Sequence, residues 1–279
     1  MNKQIEINGK KIFYSVSGNG KPVMLVHGFG ETGDVWMNQI EFLKDYFTVI
    51  VPDLPGSGQS EMIDDMSMEG MAEIVKLIFD NEENLQQSEA VGGPPSVGSR
   101  RDGVLIGHSM GGYITLAFVR KYSDLLNGFG LFHSTAFSDN DEKKETRNKG
   151  IGFIRQHGAF EFLRNTVPNL FSPFSRGKKP ELIDGFIRDL HNFSPQALVS
   201  YYEAMIERSD TTDLLKATKL PVLFVIGKFD NAVPIQDVLK QAYLPEKSYI
   251  HILLQSGHMG MLEDADTSNE IIKKFLNEI

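Results

Sequence analysis

No cysteine occurs among the 279 residues. That absence excludes disulfide scaffolds, thiolate zinc sites, iron–sulfur clusters and a cysteine nucleophile, and it fits a reducing compartment. Positive charge is in short supply: 28 Lys and Arg stand against 37 Asp and Glu, a formal charge of −9. Nucleic-acid binding needs a cationic face to neutralise phosphates, so no nucleic-acid partner is expected. Long apolar runs are missing as well. Stretches such as Val222–Ile226 are of strand length, far short of the roughly 18 residues of a membrane helix. The opening MNKQIEINGKKIFYS lacks the apolar core of a signal peptide. The expectation is a cytoplasmic protein with no membrane partner.

Hydrophobic residues make up 41% and charged residues 23%, the composition of a packed globular core rather than a disordered chain. The length suits one α/β domain carrying an insertion. Strand and helix patterns alternate. Gln4–Ile7 and Lys11–Val16 flank Asn8-Gly9, a pair that tolerates the positive φ of a tight hairpin turn. Pro22–His27, Phe47–Val51, Gly103–Ile106, Gly128–Phe132, Pro221–Ile226 and Tyr249–Leu254 read as further strands, several of them continuous apolar runs typical of burial on both faces. Helical spacing is read over Asp34–Tyr46, Met68–Leu85, Gly111–Lys121 and Pro234–Ala242, and a capping box at Thr267 and Glu270 marks the last helix. Such alternation implies a mostly parallel sheet flanked by helices, with ligands at the carboxyl ends of its strands.

Residues 135–219 interrupt the alternation. The segment is Phe-rich and helical in spacing, is divided into about four pieces by Pro168, Pro173, Pro180 and Pro195, and reads as an all-helical lid. Its charged run Asp139–Lys149 reads as a solvated helix face. The Gly/Pro/Ser-rich stretch Glu89–Asp102 reads as a connector.

The sharpest local signal is Gly107-His108-Ser109-Met110-Gly111-Gly112, between a strand and a helix. Gly-x-Ser-x-Gly in that setting is a nucleophile elbow: the turn strains the serine backbone, the glycines relieve collisions, and the hydroxyl stands clear at the top of the sheet. A serine needs a base, and the base an orienting acid. Among seven histidines, His258 in Gln255-Ser256-Gly257-His258-Met259-Gly260 follows the last strand at the same edge. Of the others, His27 is placed to hydrogen-bond within its loop, His108 to pack beside the nucleophile, and His133 to line the pocket. Asp230, in Gly227-Lys228-Phe229-Asp230, closes another strand at that edge and is the candidate acid; a turn or helix cap is its alternative role. The order Ser, Asp, His is that of elbow hydrolases. The oxyanion donors are expected to be the backbone N–H groups of Met110 and of Phe29, in the loop His27-Gly28-Phe29-Gly30. Phe29, Met110, His133, Phe137 and Met259 are the candidate substrate-contacting side chains. The turn Asp53–Ser60 carries Gly-x-Gly but neither the full dinucleotide fingerprint nor Gly-Lys-Ser/Thr, and no His-Glu-x-x-His is present. No cofactor and no metal are expected.

Taken together, HGFG, DLPGSGQS, GHSMGG, GKFDNAVP and SGHMG resemble the α/β-hydrolase fold superfamily over residues 1–134 and 220–279. The resemblance implies a mostly parallel eight-stranded sheet as the core, the lid at 135–219 between two strands, Ser109 as nucleophile, His258 as base, Asp230 as acid, and donors at Phe29 and Met110. Serine at 109 argues against the haloalkane dehalogenase branch, which has aspartate there. The expected activity is serine hydrolysis of a small or medium apolar carboxylic ester through an acyl-enzyme, with an aromatic lid walling a small-molecule substrate. Two alternatives use the same triad. A C–C bond hydrolase of a diketone-type substrate would want a lid cation, with Arg155, Arg164 and Arg188 available. A hydrolase-like receptor would bind a small ligand and signal through lid motion.

Overall fold

The computed structural model describes residues 1–89 and 103–279. Of the connector read at 89–102, all but the first residue lies outside the described residues. Eight strands form one sheet: β1 (Asn2–Ile7), β2 (Lys10–Ser17), β3 (Pro22–Val26), β4 (Thr48–Pro52), β5 (Gly103–His108), β6 (Leu126–Phe132), β7 (Val222–Gly227) and β8 (Ser248–Leu253). Their spatial order is β1-β2-β4-β3-β5-β6-β7-β8. β1 and β2 form the expected antiparallel hairpin, with Asn8 and Gly9 at φ 51° and 76°, and β2 also runs antiparallel to β4; every other pairing is parallel. β4, β5 and β7 are buried along their whole length, which is why they read as unbroken apolar runs. At β8 the burial alternates, leaving Ile250 and Ile252 exposed at the sheet edge.

Among the described residues six helices lie outside the insertion, three early and three late in the chain. α1 (Met37–Leu43) follows a short 3₁₀ turn, Gly33–Trp36, where one continuous helix was expected. α2 (Met68–Glu89) packs on α3 (Met110–Tyr122). Between β6 and β7 lies a helical insertion of six pieces: α4 (Asp141–His157), α5 (Ala159–Thr166), α6 (Pro173–Lys178), α7 (Pro180–Asp189), α8 (Pro195–Glu207) and α9 (Thr212–Ala217). Pro173, Pro180 and Pro195 each open a helix, since the first turn needs no N–H from them. The reading of four pieces missed Gly158, whose φ of 87° separates α4 from α5. α10 (Ile235–Leu239) is shorter than read, and α11 (Gly260–Glu263) leads into α12 (Ala265–Glu278), which packs on α1. The capping box at Thr267 is corrected: α12 starts at Ala265, directly after its N-cap Asp264, whose N–H donates to the Gly260 carbonyl (3.0 Å), so Thr267 is already inside the helix.

The charged run also needs correction. Asp139 is 5% exposed, and its carboxylate pairs with Arg147 (2.5 Å) and Arg208 (3.1 Å), so both ends of that salt link belong to the interior of the insertion. A carboxylate stripped of water requires such partners. The rest of α4's charges are solvated.

Candidate active site

Parallel strands end on one edge, and five strand ends meet there. β5 delivers Ser109 at φ 51°, ψ −114°, a conformation that a side-chain-bearing residue rarely adopts. Three bonds hold it: its N–H donates to the Phe132 carbonyl (3.0 Å), and its own carbonyl accepts from Gly112 N–H (2.9 Å) and Ser134 Oγ–H (2.7 Å). Glycine is required around it by close approach. A Cβ on Gly107 would lie 2.1 Å from the Gly111 carbonyl oxygen, and one on Gly111 2.4 Å from that of Val26. The axis of α3 begins at Met110, so its positive end faces the serine.

β7 and β8 deliver the other two members of the expected triad. His258 Nδ1 lies 2.8 Å from Asp230 Oδ2, both residues being at most 5% exposed. The remaining carboxylate oxygen, Oδ1, accepts the N–H groups of Ala232 (2.9 Å) and Val233 (2.8 Å). Asp230 therefore caps its own turn while it holds the imidazole; the two readings of this residue are compatible. Burial alone would raise its carboxyl, but the facing His258 charge and the histidine hydrogen bonds outweigh it and hold the group well below the usual carboxylate range. Burial alone would lower His258, but the Asp230 charge and hydrogen bond, aided by Glu31 and Glu263, raise it above the ordinary histidine value. No hydrogen bond joins Ser109 Oγ to His258 among the described residues.

His133, expected to line the pocket, sits instead behind the acid. Its Nδ1 is 3.2 Å from Asp230 Oδ2 and also faces Gly227 N–H at 3.1 Å, and its Nε2 is buried without a partner beside Gly260. Burial lowers its pKa and keeps the ring neutral. His133, Asp230 and His258 each bring a ligand atom within 4.8 Å of one another, a spacing a metal ion could use. Both Nδ1 atoms already lie within hydrogen-bond distance of one carboxylate oxygen, Asp230 Oδ2. Met110 and Met259 are fully buried. Phe137 lines a separate groove of about 350 Å³ with Asp139, Lys143 and Val233, and Ser109 is not among its walls.

Phe29 is where core and insertion meet. Its ring stacks on Tyr202 (4.2 Å, 10°) and meets Phe162 and Tyr201 edge-on (6.3 Å each). The turn Asp53–Ser60 has a structural use that its Gly-x-Gly did not reveal: Tyr201 on α8 donates to the Pro55 carbonyl (2.6 Å) and shares a hydrogen bond with Ser57 Oγ (2.8 Å). At the other side of the insertion, the Glu263 carboxylate accepts from Gly257 N–H, Met259 N–H, Ser172 N–H and Ser175 Oγ–H (2.7–3.2 Å), tying the His258 loop to α6. Sequence reasoning missed Glu263 and Glu31. An acidic residue three positions beyond Gly28 in HGFGE was the available signal for Glu31; Glu263 carried none, since acidic residues in a first helical turn are ordinary.

A strained serine after a parallel strand, a carboxylate–imidazole pair at neighbouring strand ends and a helical insertion above them define the hydrolase class of this fold. The sequence matches the Alpha/beta hydrolase family over residues 23–270, and the chain belongs to that family. It is similar to a thermophilic esterase from Thermogutta terrifontis, with 31% identity and a TM-score of 0.84 over 100% of this chain and 98% of that one. It is also similar to a 2-hydroxy-6-oxo-6-phenylhexa-2,4-dienoate hydrolase of Comamonas testosteroni (25% identity; 96% of this chain, 91% of the relative). A pimeloyl-[acyl-carrier protein] methyl ester esterase of Vibrio cholerae is 24% identical over 91% of this chain and 94% of its own length.

Proposed function

We propose that the chain is a serine hydrolase that cleaves a small or medium apolar carboxylic ester through an acyl-enzyme. The observation that carries this reading is the 2.8 Å contact of His258 Nδ1 with Asp230, on the sheet edge where Ser109 is held at φ 51°. With Nδ1–H committed to the carboxylate, Nε2 is left as the base. It takes the Ser109 proton while Oγ attacks the acyl carbonyl, and the oxyanion falls to the N–H groups of Phe29 and Met110. The imidazolium then gives that proton to the departing alcohol. Water, deprotonated by the same nitrogen, attacks the acyl-serine and releases the acid. Hydrogen bonds of this kind commonly tighten only when substrate is bound.

The segment 135–219 serves in this reading as the lid over a core of 1–134 and 220–279, with Phe29, Phe162, Tyr201 and Tyr202 as an apolar wall. Ester chemistry is preferred to C–C cleavage of an acidic diketone because of the lid cations. Arg155 and Arg164 pair with Glu203 and Glu161 at more than half exposure, and Arg188 is exposed. Arg147 and Arg208, both partly buried, share Asp139.

A panel of p-nitrophenyl esters of increasing chain length tests the reading. Many turnovers, abolished by Ser109→Ala, are expected. A single slow turnover, or full activity in Ser109→Ala, overturns it.

A further inference from the structure

Glu31 is a buried carboxylate that the reaction above does not use. It is 2% exposed, in the loop after β3, and a carboxylate so placed must be repaid by specific partners. Its Oε2 accepts Gly28 N–H at 2.6 Å and faces His108 Nδ1 at 3.0 Å. His108 is fully buried, and its other nitrogen, Nε2, lies 2.9 Å from the His258 carbonyl. Both ring nitrogens thus face oxygen acceptors, Glu31 on one side and the His258 loop on the other.

The contacts reach three loops. Gly28 belongs to the loop expected to supply the first oxyanion donor, His108 directly precedes Ser109, and the His258 carbonyl belongs to the base. Gly28 is gripped on both sides: Glu31 takes its N–H, while His27 Nδ1 donates to its carbonyl (2.9 Å). The His27 tautomer is set by Leu54 N–H, which donates to Nε2 (2.9 Å). In a trans peptide the N–H of Phe29 points opposite to the Gly28 carbonyl, so this grip sets the direction of the proposed donor. Space is tight at the junction. A Cβ on Gly28 would lie 2.9 Å from His108 Nδ1, 3.1 Å from Glu31 Oε2 and 3.2 Å from Ser109 Cβ.

We propose that Glu31 and His108 act as one pair of positioning residues, a strap that holds the oxyanion loop and the His258 loop in register with Ser109. The proposal rests on the serine-hydrolase reading and adds two residues to it that touch no substrate. Loss of the strap displaces groups that act in the transition state more than groups that bind the ground state, so kcat is expected to fall and KM to stay.

The test is a double-mutant cycle on the full chain, with Glu31→Ala, His108→Ala and the double variant. Two rates are read: ester turnover, and covalent labelling of Ser109 by a fluorophosphonate. Each single variant is expected to lose about 100-fold in kcat and in labelling, the scale of a misplaced oxyanion donor. KM should move less than about threefold, and the double variant should be no worse than the weaker single one, as for residues that act as a unit. Folded Glu31→Ala at the wild-type rate, or losses that multiply in the double variant, overturns the strap. Should an alanine variant fail to fold, Glu31→Gln and His108→Gln are read in its place, and full rates there overturn it equally. Wild-type protein that labels but turns over no ester defeats the ester reading alone, since labelling still ranks the variants. Wild-type protein that neither labels nor turns over defeats both.

Discussion

Ser109→Gly is expected to stabilise the protein while abolishing hydrolysis, and Ser109→Ala to abolish hydrolysis without that gain. At φ 51°, ψ −114° the serine occupies a region that costs a residue with a Cβ about 1–3 kcal/mol. Glycine removes that strain but gains roughly 0.5–1 kcal/mol of freedom in the unfolded chain. Taking the middle of each range, the net is a stabilisation of about 1 kcal/mol. At roughly 2 °C per kcal/mol for a domain this large, Tm should rise by about 2 °C. Ser109→Ala keeps the Cβ and loses only the hydroxyl, so the difference between the two variants isolates the backbone term. Because such proteins can unfold irreversibly, calorimetric scans at several rates should be compared. A glycine variant no more stable than the alanine variant would refute the argument that the elbow stores strain.

Four further outcomes follow from the structure. The rate kcat/KM should rise with pH as His258 loses its proton, with a midpoint above the ordinary 6.5 because the Asp230 charge favours the imidazolium; a flat profile from about pH 5 to 8 would contradict a histidine base. Asp230→Asn should lower kcat on the order of 10⁴-fold by removing the group that orients the tautomer. Its carboxyl is depressed in the folded state, so its stabilising effect is present above the ordinary value of 3.8 and is lost as pH falls toward the native one. Acid unfolding of the asparagine variant should therefore be less steep. Tyr201→Phe strips the Pro55 carbonyl and Ser57 Oγ of a buried partner and should cost about 1–3 kcal/mol, read as a fall in Tm. An unchanged Tm would mean that water replaces the hydroxyl.

Much of the fold is legible in the sequence. The apolar runs at Pro22–Val26 and Val222–Gly227 are strands because only a sheet covered on both faces buries such segments whole. Asn8-Gly9 forms its turn because its two residues accept positive φ. Ser109 could be placed because an elbow constrains residues adjacent in the chain, and so leaves a local pattern of glycines. His258 and Asp230 could be placed because parallel strands end on one edge, whatever the distance along the chain.

What escaped the sequence depends on side chains meeting across loops. His133 read as a pocket residue because its position after β6 is right; its orientation toward Asp230 follows from packing against Gly227 and Gly260, 94 and 127 residues on. Asp139 looked like one more surface charge, and only the approach of Arg147 and Arg208 makes a dry interior tolerable for it. Local pattern thus determined the elements, the strained turn and the edge on which the chemistry sits, because backbone sterics and burial periodicity act over a few residues. Tertiary structure alone decided which polar groups share protons there, because a buried charge takes its partners from whatever chain the fold brings within about 3 Å.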